Sequence, residues 1–237
     1  MNKLKIYISS LIFVVFSSFA VNAIEMPNFN ANGLAIGVTG NVGAYRASGD
    51  ETESTEKSSD EAVLAVSYGS VFIEYAIEAA YGLTIGVDYV PESLDAEATS
   101  RTDVANSLGA GTTGCVGSTT DCTTNTVDAE FNDLTTVYAL VPIPGSNAFI
   151  KVGVKSVDVV SMENLGTGST YGDTSIDGIT YGIGWTKEAG DNGFFVRMQA
   201  DYTEFDSFSL TSQNNSDNKV TGEIEGVQAS FSIGKSF

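Results

Sequence analysis

The chain contains no histidine and only two cysteines, and this narrows the chemistry open to it. Ser–His and Cys–His catalysis need an imidazole to take the proton from the nucleophile, so neither can be assembled. Carboxylate-only catalysis is conceivable with 30 acidic residues. No pair of them stands out as acid and base, and no enzyme is expected. Cys115 and Cys122 frame the stretch CVGSTTDC in a Gly- and Thr-rich segment. Two thiols without histidine make a poor zinc site. In an exported chain they read as a disulfide, which would close a short loop and trim its entropy. The stretch GDETESTEKSSDE, 49–61, holds six acids and one lysine. It reads as a solvated, mobile loop; weak capture of divalent cations is the sharper alternative, though the spacing fits no calcium loop. Gly pairs such as the one in GNVG precede no helix and are not phosphate cradles. No cofactor or metal is expected.

The elements that position these residues begin after an export signal. Lys3 and Lys5 precede an apolar stretch from Ile6 to Phe19, and Val21-Asn22-Ala23 forms a small-residue cleavage site. Residues 1–23 are therefore expected to be removed and 24–237 to form one domain. Both lysines belong to the signal, whereas none of the acids does, so the remainder is more acidic than the formal net charge of −19. That sign excludes nucleic acid as a partner. No apolar run after the signal is long enough for a spanning helix, but barrel strands need only about 9–11 alternating residues.

Eight such runs occur: 33–46, 62–76, 82–91, 128–141, 148–162, 176–187, 193–206 and 219–237. In the third, Leu83, Ile85, Val87 and Tyr89 alternate with Thr84, Gly86 and Asp88. The polar phases hold Gly, Ser, Thr and Gln rather than the many Lys and Glu of a soluble surface. Small residues suit the inside of a narrow barrel, and the continuous apolar phase suits lipid. Connections alternate between long (47–61, 92–127, 163–175, 207–218) and short (77–81, 142–147, 188–192). The fold expected is an all-β, eight-stranded antiparallel up-and-down transmembrane barrel with long extracellular loops and short periplasmic turns. On the inward phase lie Asp88, Lys151, Lys155, Arg197 and Asp201. Glu74 joins them, although the phase of the second run slips near Gly69. Charges in a narrow barrel are costly unless paired, so three acids and three bases predict a closed ionic network rather than a pore.

The final strand carries Phe237, Ile233, Phe231, Ala229 and Val227 on one face. With this strand, the signal and the eight runs, the chain resembles the small OmpA/OmpX-like barrels of Gram-negative outer membranes. The resemblance spans 24–237 at the level of architecture. It implies an outer-membrane location, contact with outer-membrane lipids and lipopolysaccharide, and a final strand read by the barrel-assembly machinery. Lys235 departs from the pattern, which favours an aromatic or apolar residue there; a lysine can snorkel to the interface. No peptidoglycan-binding domain is expected after the barrel. The resulting expectation is a monomeric structural and surface protein that contributes to membrane integrity and displays acidic loops. A narrow channel for ions or small solutes, and an adhesin or receptor acting through its loops, are the alternatives.

Overall fold

A computed structural model describes residues 33–53, 56–95, 99–104, 122–164 and 169–237. The export signal and Cys115 lie outside the described residues, and Cys122 is placed only as the first residue of a strand. The alternating runs form strands β1 (Leu34–Glu53), β2 (Glu56–Ile77), β3 (Leu83–Tyr89), β6 (Cys122–Pro142), β7 (Ala148–Asn164), β8 (Thr174–Glu188), β9 (Phe194–Phe205) and β11 (Lys219–Ser236). The short strands β4 (Leu94–Asp95) and β5 (Thr99–Val104) pair with the upper part of β6, and β10 (Phe208–Thr211) pairs with β11.

The eight long strands follow one another as antiparallel neighbours in a ring of 8 strands, β11 returning to pair with β1. The closing seam runs from Ala35 opposite Ser236 to Thr52 opposite Lys219. Two bonds extend it: Phe237 N–H donates to the Leu34 carbonyl at 2.9 Å, and Gly33 N–H donates to the Phe237 carbonyl at 3.0 Å. Closure leaves the eight described long strands without a free edge, which is what lets strands cross hydrocarbon.

The connections at the end where Gly33 and Leu34 meet Phe237 are tight. The turn after β2 places Tyr81 and Gly82 at φ 58 and 80, and the two later turns use Gly145, Gly190 and Gly193 at positive φ. At the opposite end the described residues of the acidic stretch, 49–53 and 56–61, are strand and not loop, contrary to the sequence reading. β1 and β2 continue as a paired hairpin through it, with Asp50 opposite Ser59 and Glu53 opposite Glu56. The Ser59 hydroxyl donates to Asp50 Oδ1 at 2.6 Å. Ser and Thr between the acids keep extended backbone acceptable, and a partner strand supplies the ladder that local sequence cannot announce. The supposed phase slip at Gly69 is also absent. Gly69 lies opposite Gly40, and the outward phase of β2 runs unbroken through Val63, Val71 and Ile73. In β6 there is a real irregularity: the register shifts between Asn132 and Thr135, with Asp133 at φ 53.

Burial is inverted relative to a water-soluble domain. Val42 is 59% exposed and Met198 58%, whereas Lys155 is 4% exposed and Arg197 5%. The outer wall carries Ile36, Val38, Ile73, Val137, Ile150 and Phe231, all exposed. An apolar surface this continuous belongs in lipid.

Inside, aromatic rings lie on glycines directly across the strand pair. Phe72 faces Gly37, Phe149 faces Gly184, and Phe195 faces Gly234. A Cβ on Gly184 would sit 2.2 Å from Phe149 Cζ and 2.8 Å from the Met198 carbonyl. Gly184→Ala should therefore cost about 1–3 kcal/mol through overpacking. Gly40→Ala, whose Cβ meets nothing within 4 Å, should be near neutral. Urea-dependent unfolding of the two variants refolded in vesicles compares them directly.

Candidate functional site

The inward phase of the strands brings all six predicted charges onto the inner face. They stack in tiers. Nearest the tight turns, Arg197 of β9 reaches across to Glu74 of β2. Its Nη1 donates to Glu74 Oε2 at 2.9 Å and its Nη2 to Oε1 at 2.6 Å. The fork-to-carboxylate match is the strongest geometry an ion pair can adopt. Tyr138 O–H also donates to Glu74 Oε2 at 2.9 Å, and Arg197 Nε donates to Thr186 Oγ1 at 3.2 Å. Three rings enclose the guanidinium: Phe72 and Phe149 at 5.5 Å and Phe195 at 5.1 Å from its carbon. Those distances are within cation–π range. These are the rings that lie on the cross-strand glycines.

One tier further in, Lys151 Nζ donates to Asp201 Oδ2 at 3.0 Å, and Gln199 Nε2 donates to the same oxygen at 2.9 Å. Lys151 Nζ also lies 5.2 Å from the Tyr138 ring centre, which links the two tiers. Asp201 Oδ1 has no hydrogen-bond partner among the described residues. A Cβ at Gly182, opposite Asp201, would stand 2.2 Å from that oxygen.

Lys155 and Asp88 are joined by a relay and not by a direct pair. Lys155 Nζ donates at 3.4 Å to Gln228 Oε1 and to the Tyr45 hydroxyl. Tyr45 and Tyr68 hydroxyls both donate to Gln228 Oε1. Gln228 Nε2 donates to Asn41 Oδ1 at 2.9 Å, Asn41 Nδ2 to Ser70 Oγ at 3.1 Å, and Ser70 O–H to Asp88 Oδ2 at 2.9 Å. The space enclosed between Asp88, Lys151, Lys155, Gln199 and Gln228 is about 20 Å³, roughly that of one water. Above it lies an apolar layer of Val90, Leu134, Val157, Ile176 and Phe205. The lumen is thus filled by side chains, as eight strands allow.

The sequence reading missed the aromatic cage and the relay. Asn41, Ser70 and Gln228 were visible as inward polar residues, but nothing local says that they meet. Among the described residues no cluster of metal-ligating side chains occurs. Phe231, Ile233 and Phe237 lie exposed on the outer wall, with Ala229 in the same phase between them and the next row. Lys235, the departure from the family pattern, sits on this wall with Nζ 5.5 Å from the Phe194 ring centre and 5.1 Å from that of Phe237.

The fold is a closed antiparallel β-barrel of eight long strands with an apolar outer wall. No protein-family model and no curated protein matches the sequence. Several solved barrels resemble it. Ail, the attachment invasion locus protein of Yersinia pestis, in complex with sucrose octasulfate, is 11% identical. The match covers 82% of this chain and 98% of Ail, with a TM-score of 0.31. The outer membrane protease OmpT of Escherichia coli is 10% identical, covering 90% of this chain and 99% of OmpT, with a TM-score of 0.48. Neisserial surface protein A is 12% identical, covering 83% and 96%, with a TM-score of 0.28. These barrels differ from one another in what they do, and likenesses this remote carry no argument about activity. The strand register carries the fold by itself.

Arg197→Ala should leave Glu74 buried without its partner and lower stability by roughly 3–5 kcal/mol. Adding Glu74→Gln to that variant should recover part of the loss, since the penalty lies in the orphaned charge. In planar bilayers Arg197→Ala should open more often than wild type, with a tilt toward cations. Unchanged urea midpoints and unchanged openings would defeat the plug reading.

Proposed function

We propose that this protein is a structural and surface component of a bacterial outer membrane, a closed barrel that contributes to membrane integrity and displays an acidic face to the outside. The observation that carries this reading is the filled lumen. Three acids and three bases are drawn inside, two ion pairs are made outright, and an apolar layer covers them. A pore selective for one sign of ion would carry rings of like charge. The exposed apolar wall supports residence in lipid, and the tight turns, with the Phe237 end of the β1–β11 seam, are assigned to the periplasmic side.

A second reading, an adhesin or receptor, is favoured by one feature. The outer ends of β1, β2 and β11 form an ordered, paired wall and not loose loops. Row by row it presents Glu61 and Glu223 beside Ser48, then Lys57 and Lys219 beside Thr52. Below them Arg46 pairs with Glu225 and stands 3.7 Å from Glu61. A partner for such a surface would have to match alternating rows of acid and base. The lack of histidine argues against the enzymes that need a general base of that kind.

Refolded wild-type protein should give low or no steady conductance in planar bilayers. Large, stable openings would promote the channel reading instead. Truncation after Ser236 removes a residue whose backbone extends the closing seam and whose ring lies at the membrane edge. It should lower the yield of heat-modifiable, surface-exposed barrel in cells more than it lowers the urea midpoint of refolded protein. Equal yields would remove the assembly role assigned to Phe237.

A further inference from the structure

The wall that faces lipid is almost free of charge. Its apolar rows run from β1 round to β11, and the exceptions on the half bearing the tight turns are two lysines. Lys187 of β8 lies opposite Val196, which lies opposite Ile233, so it belongs to the outward phase. Lys235 of β11 lies opposite Phe194 in the same phase. The two sit on either side of β9. Two strand spacings across and two residues along place their Cα atoms roughly 12 Å apart, within joint reach of one headgroup. Neither makes an ion pair among the described residues, although the molecule is strongly acidic. The nearby Glu188 lies opposite Phe195 and takes the inward phase, and Asp191 lies in the turn beyond.

Three exposed rings accompany the lysines. Trp185 stands two residues before Lys187, and Phe194 and Phe237 flank the Lys235 ammonium at 5.5 and 5.1 Å. Aromatic rings of this kind settle at the level of headgroups and upper acyl chains. A lysine there holds its stem in the apolar layer and its ammonium at phosphate depth. We propose that the periplasmic end of the β8–β9–β11 wall is a binding site for an anionic phospholipid of the inner leaflet, its phosphodiester held between Lys187 and Lys235 and its chains against Trp185, Phe194 and Phe237. The inference rests on the membrane reading above. The occupant is a lipid and not free phosphate, because the rings present an acyl-sized apolar surface beside the two cations.

The test uses protein refolded into phosphatidylcholine vesicles with a minority of phosphatidylglycerol, extracted gently and examined by native mass spectrometry. Wild type should retain phosphatidylglycerol in preference to phosphatidylcholine. Lys187→Gln and Lys235→Gln should each reduce that preference about five-fold, the worth of one lysine at an anionic surface, and the pair should abolish it. Arginine at either position should restore it. Lys57→Gln, the same charge change at the far end of the barrel, should leave it intact, and inorganic phosphate should not displace the lipid. Equal retention by the double glutamine variant, equal loss in Lys57→Gln, or displacement by phosphate would each overturn the site. Barrels that insert and shift on heating but show equal retention sink only the lipid site. Failure of wild type to insert into these vesicles would sink the membrane reading with it.

Discussion

The bidentate contact between Arg197 and Glu74 sets the terms for the rest of this barrel. A guanidinium enclosed by three phenyl rings has little water to fall back on, so its carboxylate must be present and correctly placed. Such a pair gains little over an apolar filling of equal volume, but losing one member is severe. Its presence therefore binds β9 to β2 across the lumen more firmly than the wall alone would. Tyr138 ties β6 to the same carboxylate, and through Lys151 the next tier is joined to the first.

The outer wall follows from the same constraint. Once the polar half of each strand is committed to the lumen, the alternate half must face outward, and it is apolar because hydrocarbon is there. One periodicity thus serves two solvents. The tiers then divide the interior: charged and caged near the turns, hydrogen-bonded through amides and hydroxyls in the middle, and apolar toward the outside. A barrel arranged in this way holds itself shut by contacts of different kinds, so no single pair serves as the whole barrier.

Much of this is legible in the sequence. Alternation located the eight strands to within a few residues over their membrane-crossing parts, and phase alone assigned Asp88, Lys151, Lys155, Arg197 and Asp201 to the inside. Legibility ended where partners decide the outcome. The acidic 49–61 stretch has the composition of a solvated loop, and only pairing between β1 and β2 makes it strand. In β6 the bulge at Asp133 adds a residue to one side of the ladder and reverses alternation beyond it, which no single run of the sequence announces. The cage was unreadable because Phe72, Phe149 and Phe195 come from three strands whose apposition is a property of the closed ring. Cys115 and the export signal fall outside the described residues, and Cys122 is placed only as the first residue of β6.

The glycines beneath the inward rings have a consequence for how the wall finds its alignment. Neighbouring strands rich in small residues could slide past one another by two positions and keep every side chain on its proper face. Sliding would carry Phe149 off Gly184 and onto a neighbour such as Thr186 or Gly182, the latter already covered by Asp201, and the same holds at Phe72 and Phe195. Each ring and its glycine act as a key and slot cut at one height, on different strand pairs around the circumference. Their combined effect is a vernier: one misaligned pair jams, and only a single setting lets all of them seat at once.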